Sequence, residues 1–368
     1  MKKTRFLSLV VAMILLGSVL TGCTGGAGVV ASWPGMLIDN ASETVYLAAG
    51  QHIYALNLAN GTERWRYPEK ADTKISFYAA PVLTEDGQLI QGGYNKTLYS
   101  LNVDTRQTNW TYTAASDVFV AQPLVAGNMV YAPNSDTKLY AVDKTGALVW
   151  KANGEHAFWS TPVSDGTLIY AASMDHHVYA FKQENGSQVW KSDDLGGALT
   201  GRPALDPKGV MYIGTLGKKE DSKMLALDTA SGKVLWQTSA KGWVWASPVI
   251  TGELVIFSDM NGNIYAVEAT SGTIKWQIQP DTTGKGAITA APVVNEGTLY
   301  FASQAGILYA VDLATGNPLW NKTIGGKIYS DLVLNGDKIL IAPLEFDAAL
   351  VAVDFQGNNS WSFTPAKK

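Results

Sequence analysis

Four histidines are the first place to look for chemistry in this sequence. His52 stands alone, whereas His156, His176 and His177 fall close together with Glu155 and Asp175 beside them. Imidazole and carboxylate groups at short spacing can hold a zinc ion, which takes three or four such ligands. In a four-stranded unit, these residues fall on the connection that enters the unit and on its second hairpin, which share one end. No further Asp, Glu or Cys is spaced to complete the set, so solvated loop histidines are the expectation. A Ser-His-Asp or paired-acid mechanism needs candidates near one another, and four histidines allow few. No catalytic residue, metal or cofactor is assigned, and the chain is read as not an enzyme.

The single thiol is more informative. Cys23 is the only cysteine among 368 residues, so no disulfide can form within the chain. Before it stand Lys2, Lys3 and Arg5, an apolar run from Phe6 to Leu16, and then Leu20-Thr21-Gly22-Cys23. The apolar run is too short to span a bilayer, and the pattern is that of a signal peptide over 1–22. Leu-Thr-Gly-Cys resembles the bacterial lipobox, which implies that Cys23 becomes the lipidated N-terminus. Thr24 after it resembles the sorting pattern for an outer membrane or cell surface, since Asp there implies inner-membrane retention. Residues 24–32 form a Gly-rich tether, and the ten residues from Cys23 to Trp33 span about 35 Å fully extended.

Removing 1–22 leaves 25 Lys and Arg against 32 Asp and Glu, a net charge near −7. A mildly acidic chain with no basic block offers nothing for nucleic acid or anionic lipid headgroups. No second apolar stretch approaches the ~20 residues of a membrane span. A lipid is the expected anchor.

The elements that must position any site are repeats. Trp recurs at Trp65, Trp110, Trp150, Trp190, Trp236, Trp276, Trp320 and Trp361, spaced 45, 40, 40, 46, 40, 44 and 41 residues apart. Gly stands four residues before each Trp, except that Arg106 takes the place before Trp110. Ala310 to Trp320 shows the unit: a small residue, an apolar one, a polar one, a Gly-centred turn, then Trp. Short runs of β-branched and aromatic residues bounded by Gly, Asn and Asp read as four strands per unit. In the seventh unit these are 288–294, 298–302, 307–312 and 318–322. Pro recurs inside each first strand, at Pro34, Pro81, Pro123, Pro162, Pro203, Pro248 and Pro292, with Leu332 in the eighth. Pro in a strand requires an edge, and the innermost strand of a propeller blade is one. An all-β, eight-bladed propeller of four-stranded antiparallel blades follows. Its units run about 33–72, 73–115, 116–153, 154–195, 196–239, 240–283, 284–325 and 326–366, within a body of 33–366.

A small twisted sheet cannot bury its faces alone, so neighbouring blades supply the cover. Trp opposite a small Ala can lie flat between blades with its N–H on a neighbouring carbonyl. The eight Trp are therefore structural docking residues. Over about 33–365 the array resembles the pyrroloquinoline-quinone-type propellers, whose docking motif is Ala-x-Asp-x-x-Thr-Gly-x-x-x-Trp. It is similar above all to the propeller lipoproteins of the outer-membrane β-barrel assembly (Bam) machinery. That resemblance implies a role in β-barrel protein insertion with the periplasmic arm of a barrel insertase as partner. Quinone-dependent dehydrogenases of the wider family use a vicinal Cys pair and a carboxylate beside calcium, and this chain has neither. The last Trp strand, 360–364, belongs to the C-terminus, and no spare strand is evident to close the ring. Closure is expected by side-chain packing alone, or by residues 27–33 adding to an edge.

In such a blade the first-to-second and third-to-fourth turns share one face and are tight Gly turns here. The other face carries the variable second-to-third loops, 218–223 and 344–347 among them, and the long blade-to-blade connections. Binding usually lives on variable loops of a rigid scaffold. Those connections bring aromatics to the channel mouth: Phe77 and Tyr78, Phe119, Phe158 and Trp159, Trp243 and Trp245, and Tyr329, with Arg202 at the matching place in unit five. Strand alternation would pack half of them between blades. Exposed together, aromatics and Arg compose a protein-recognition surface. The expected function is a lipid-anchored extracytoplasmic scaffold for a protein partner, on the periplasmic face of the outer membrane or the cell surface. The alternative is a surface module that binds a glycan or small ligand.

Overall fold

A computed structural model describes residues 33–218, 221–281 and 286–366. The leader over 1–22, Cys23 and the tether to residue 32 lie outside the described residues. Eight four-stranded antiparallel sheets follow one another along the chain, at 35–67, 82–112, 124–153, 163–191, 204–239, 249–278, 293–323 and 333–363. We number them blades 1 to 8. Each runs in simple up-and-down order from the innermost strand to the outermost. The eighth adds a two-residue pairing of Lys327–Ile328 with Pro343–Leu344, which ties its entering segment to its own loop.

Blade 7 shows how the residues dictate the strands. Its strands are Val293–Asn295, Thr298–Ala302, Ile307–Asp312 and Pro318–Thr323. The second and third strands are buried on both faces, because blades cover them from either side. Innermost strands are shorter than the sequence suggests, and the recurring Pro is not inside them. Pro81, Pro123, Pro162, Pro203, Pro248 and Pro292 each stand one residue ahead of the paired segment. A residue without an N–H begins the strand where no ladder bond is needed.

The docking unit has a common geometry. In blade 5 Ala226 lies directly opposite Trp236, and a register shift follows between Ala226 and Leu227. The same shift recurs beside the Trp of all eight blades. The bulge makes room for the tight turn and re-aims the Trp toward the next blade. There the indole N–H finds a backbone carbonyl. Trp110 donates to Lys144 O, Trp150 to Gln183 O, Trp190 to Thr229 O, Trp236 to Ala269 O and Trp276 to Leu313 O, all at 2.9 to 3.0 Å.

The ring closes by packing. Met36, Val45, Leu47 and Leu56 of blade 1 share one buried cluster with Leu340, Leu350, Ala352 and Phe363 of blade 8. Ser330 also donates its hydroxyl to the Pro34 carbonyl across that seam. Among the described residues no strand of one end joins the sheet of the other.

Candidate partner interface and central channel

The segment that enters each blade is pinned before it reaches the channel. Phe77, Phe119, Phe158, Leu199, Val244 and Ile288 occupy matching places, four residues before the Pro. Their backbone N–H groups donate to Gly50, Gly93, Asn134, Ser173, Thr215 and Asp259 carbonyls of the preceding blade. That bond turns the side chain at this position into the seam between blades, and all six are at most 1% exposed. Phe77, Phe119 and Phe158 are therefore core residues and not part of an accessible collar. Aliphatic residues at the same place in blades 5 to 7 are the sequence signal for this.

One residue further on, alternation reverses the direction. Tyr78, Trp159, Trp245 and Tyr329 are half-buried at the mouth. Trp245 and Tyr329 come together through a residue the sequence reading used only as the start of the fold. The Trp33 ring stacks on Tyr329 at 6.1 Å and meets Trp245 edge-on at 5.5 Å. Trp33 precedes blade 1, Trp245 enters blade 6 and Tyr329 enters blade 8, so this indole lies across the channel mouth.

The other aromatics form separate stations. Trp159 donates its N–H to Ser135 Oγ at 2.9 Å, and Trp243 donates to Gly217 O at 2.8 Å. Each thus braces the loop of a neighbouring blade. Tyr78 packs on Tyr94 at 4.9 Å, and burial together with that neighbour pushes the Tyr78 hydroxyl up to about 12. Tyr94 at 42% exposure and Phe346 at 46% are the large aromatics most open to solvent on this face. Both lie in second-to-third-strand loops, of which the sequence marks 344–347 as variable while nothing in it marks Tyr94.

Arg202 is exposed to solvent and borders a cavity. The residues directly before the Pro positions, or before Leu332 in the eighth unit, are Trp33, Ala80, Gln122, Thr161, Arg202, Ser247, Ala291 and Asp331. Four of them, Arg202, Ser247, Ala291 and Asp331, border a cavity of about 630 Å³ walled by Leu124, Val163 and Leu205. Water reaches Asp331 there, yet protein surrounds it. That confinement pushes its carboxyl above the usual range, although the Ala291 N–H and the Arg202 charge act in the opposite direction. Lining up the pre-Pro residues of the eight units would have placed Asp331 at the position equivalent to Arg202, three blades away.

The histidines do not converge on a metal. His176 Nδ1 meets Asp194 Oδ1 at 3.1 Å, His177 Nδ1 meets Ser192 O at 2.8 Å, and His156 Nδ1 accepts the Ala157 N–H. Asp175 accepts from the Glu155 and His177 backbone and from Tyr179 Oη, while Glu155 pairs with Lys191. Each candidate ligand is thus engaged in shaping its loop. Among the described residues no three His, Cys, Asp or Glu side chains gather as a metal site.

Fold and loops together define a tryptophan-docked eight-bladed propeller with a capped channel and an aromatic loop face. Residues 49–173 and 174–362 match the family described as outer membrane protein assembly factor BamB, and the chain belongs to that family. It is 26% identical over 180 residues to outer membrane protein assembly factor BamB of Yersinia pestis, covering 46% of this chain and 43% of that one. It is also 26% identical over 230 residues to the Bordetella pertussis protein of the same name, covering 59% and 58%. The chain thus aligns with about half the length of these relatives. The crystal structure of BamB from Moraxella catarrhalis shares the fold, with a TM-score of 0.72 at 14% identity over 86% of this chain and 94% of that one.

Proposed function

We propose that this protein is a non-enzymatic scaffold of outer-membrane β-barrel assembly. In this reading a lipid on Cys23 holds it at the periplasmic face of the outer membrane, and its loop-rich face docks a protein partner. One observation carries the choice of face. Tyr94 and Phe346 are exposed on the same side as the Trp33–Trp245–Tyr329 cluster, with Trp159 and Trp243 between them in ring order. Rigid aromatics held by neighbouring loops lose little entropy on binding, which suits them to anchor an interface. Family membership supports β-barrel assembly as the process.

The test is recovery of the full-length lipidated protein from its own membranes. An outer-membrane β-barrel protein is expected to co-purify, and Tyr94→Ala, Trp159→Ala and Trp245→Ala together are expected to reduce its recovery about tenfold or more. Outer-strand Leu235→Asp serves as a control that leaves recovery unchanged. A stoichiometric quinone or calcium ion without a protein partner would overturn the reading. So would stabilisation by saccharide alone.

A further inference from the structure

None of the loop-face aromatics borders the cavity below the Trp33 cap. Of the four pre-Pro residues that border it, Ser247 and Ala291 are uncharged, and the others are Arg202 of blade 5 and Asp331 of blade 8. Both are fixed by bonds between blades. The Arg202 backbone N–H donates to Ser247 Oγ at 3.0 Å, and Asp331 Oδ1 accepts the Ala291 N–H at 2.7 Å. Their charged ends are left to the cavity. Among the described residues the Arg202 guanidinium has no hydrogen-bond or ion-pair partner, and the second Asp331 oxygen has none either.

Something polar can join a water-accessible guanidinium and a half-used carboxylate between walls of Leu124, Val163, Pro203 and Leu205. Water can do so in part. A molecule bearing both charges does so fully, because the guanidinium fork accommodates a carboxylate bidentately. The two residues sit three blades apart on the ring, so a ligand that joins them carries its opposite charges at its two ends. The volume of about 630 Å³ falls in the usual range for small-ligand sites. Trp33 lies over the loop side of the cavity, so the way in is from the opposite face, past Ala126 and Gly166.

We propose that the central channel binds a small zwitterion of dipeptide size, its carboxylate on Arg202, its ammonium on Asp331 and its apolar side chains on the aliphatic wall. This site is distinct from the partner surface and does not depend on it.

The probe is the dipeptide Leu-Leu, titrated calorimetrically into the full-length protein in detergent. Saturable one-to-one binding is expected, weakened about tenfold or more by Arg202→Gln or by Asp331→Asn. The Leu-Leu amide should bind weakly to the native protein and no worse to Arg202→Gln. The N-acetyl dipeptide should show the same pattern with Asp331→Asn. Arg202→Lys, which keeps the charge without the fork, is expected to fall between and guards against a variant that fails to fold. Absence of saturable binding up to about 10 mM overturns the proposal. Binding that ignores both substitutions, or that discriminates neither derivative, also overturns it. Membrane recovery of the partner by the same variants should be unchanged, which separates failure of this proposal from failure of the scaffold reading.

Discussion

Gly232 lies at φ +71° in the last turn of blade 5, and a Cβ built there would stand 2.5 Å from Trp190 Cε3 of blade 4. Two requirements meet on one residue, a left-handed backbone and an absent side chain beneath an indole. Gly252, at φ +56° with nothing within 4 Å, meets only the first. Gly232→Ala is therefore expected to cost about 3 kcal/mol and Gly252→Ala about 1 kcal/mol, read from urea midpoints. Equal shifts would mean that the indole contact contributes nothing. The Gly-to-Trp spacing was plain in the sequence because it repeats. The contact itself was not, since each Trp but Trp65 rests on the Gly of the next unit round the ring, 42 residues on in this case. The aromatic mouth was half legible for a similar reason. Phe77 and Tyr78 are neighbours of like chemistry, and only the Phe77 N–H bond to Gly50 O decides which one enters the seam.

At the scale of the element, the turn that carries the docking motif is held by its acidic residue. Asp143 accepts from the Thr145 N–H and hydroxyl at 2.8 and 2.6 Å, and Asp312 binds Thr315 with the same two distances. Asp228 takes the Ser231 hydroxyl and Asp354 the Asn358 amide. Those side-chain donors come first among the groups holding all four carboxyls below the usual range. A lowered folded-state value means the stabilisation is complete above about pH 4 and drains away as pH falls below it. The melting temperature is expected to fall between pH 4 and 3, and less steeply when all four are changed to Asn. Asn keeps the acceptor oxygen and loses the titration. An identical slope in the variant would rule out these turns as the acid-sensitive element. Strands two to four were readable to within a residue because Gly, Asn and Asp punctuate them. The first was not, because its bounds are set by which backbone groups find a ladder partner.

At the scale of the molecule, the seam between blades 8 and 1 is the one place where chain connectivity does not hold neighbouring blades together. Its indole is also less well served. Trp361 lies on Gly61 as six other Trp lie on their glycines, yet its N–H is buried without a partner. An unmade buried bond costs more than a typical bond contributes. Hydrogen exchange of strand amides is accordingly expected to be fastest in blades 1 and 8 and slowest in blades 4 and 5. Uniform protection around the ring would show the seam to be as strong as the linked interfaces. The sequence made eight blades certain, because a period needs no geometry to be counted. How the circle closes depends on the Met36 to Phe363 cluster, whose two halves come from opposite ends of the chain and follow no period.

The place of Trp33 has a mechanical consequence. Because its indole reaches blades 6 and 8 from the start of blade 1, the chain leaves the folded body at the hub and not at the rim. An attachment made through that residue would hold the disc at its axle. Spinning about that axle would leave such an attachment unstretched, whereas tilting would pull on it.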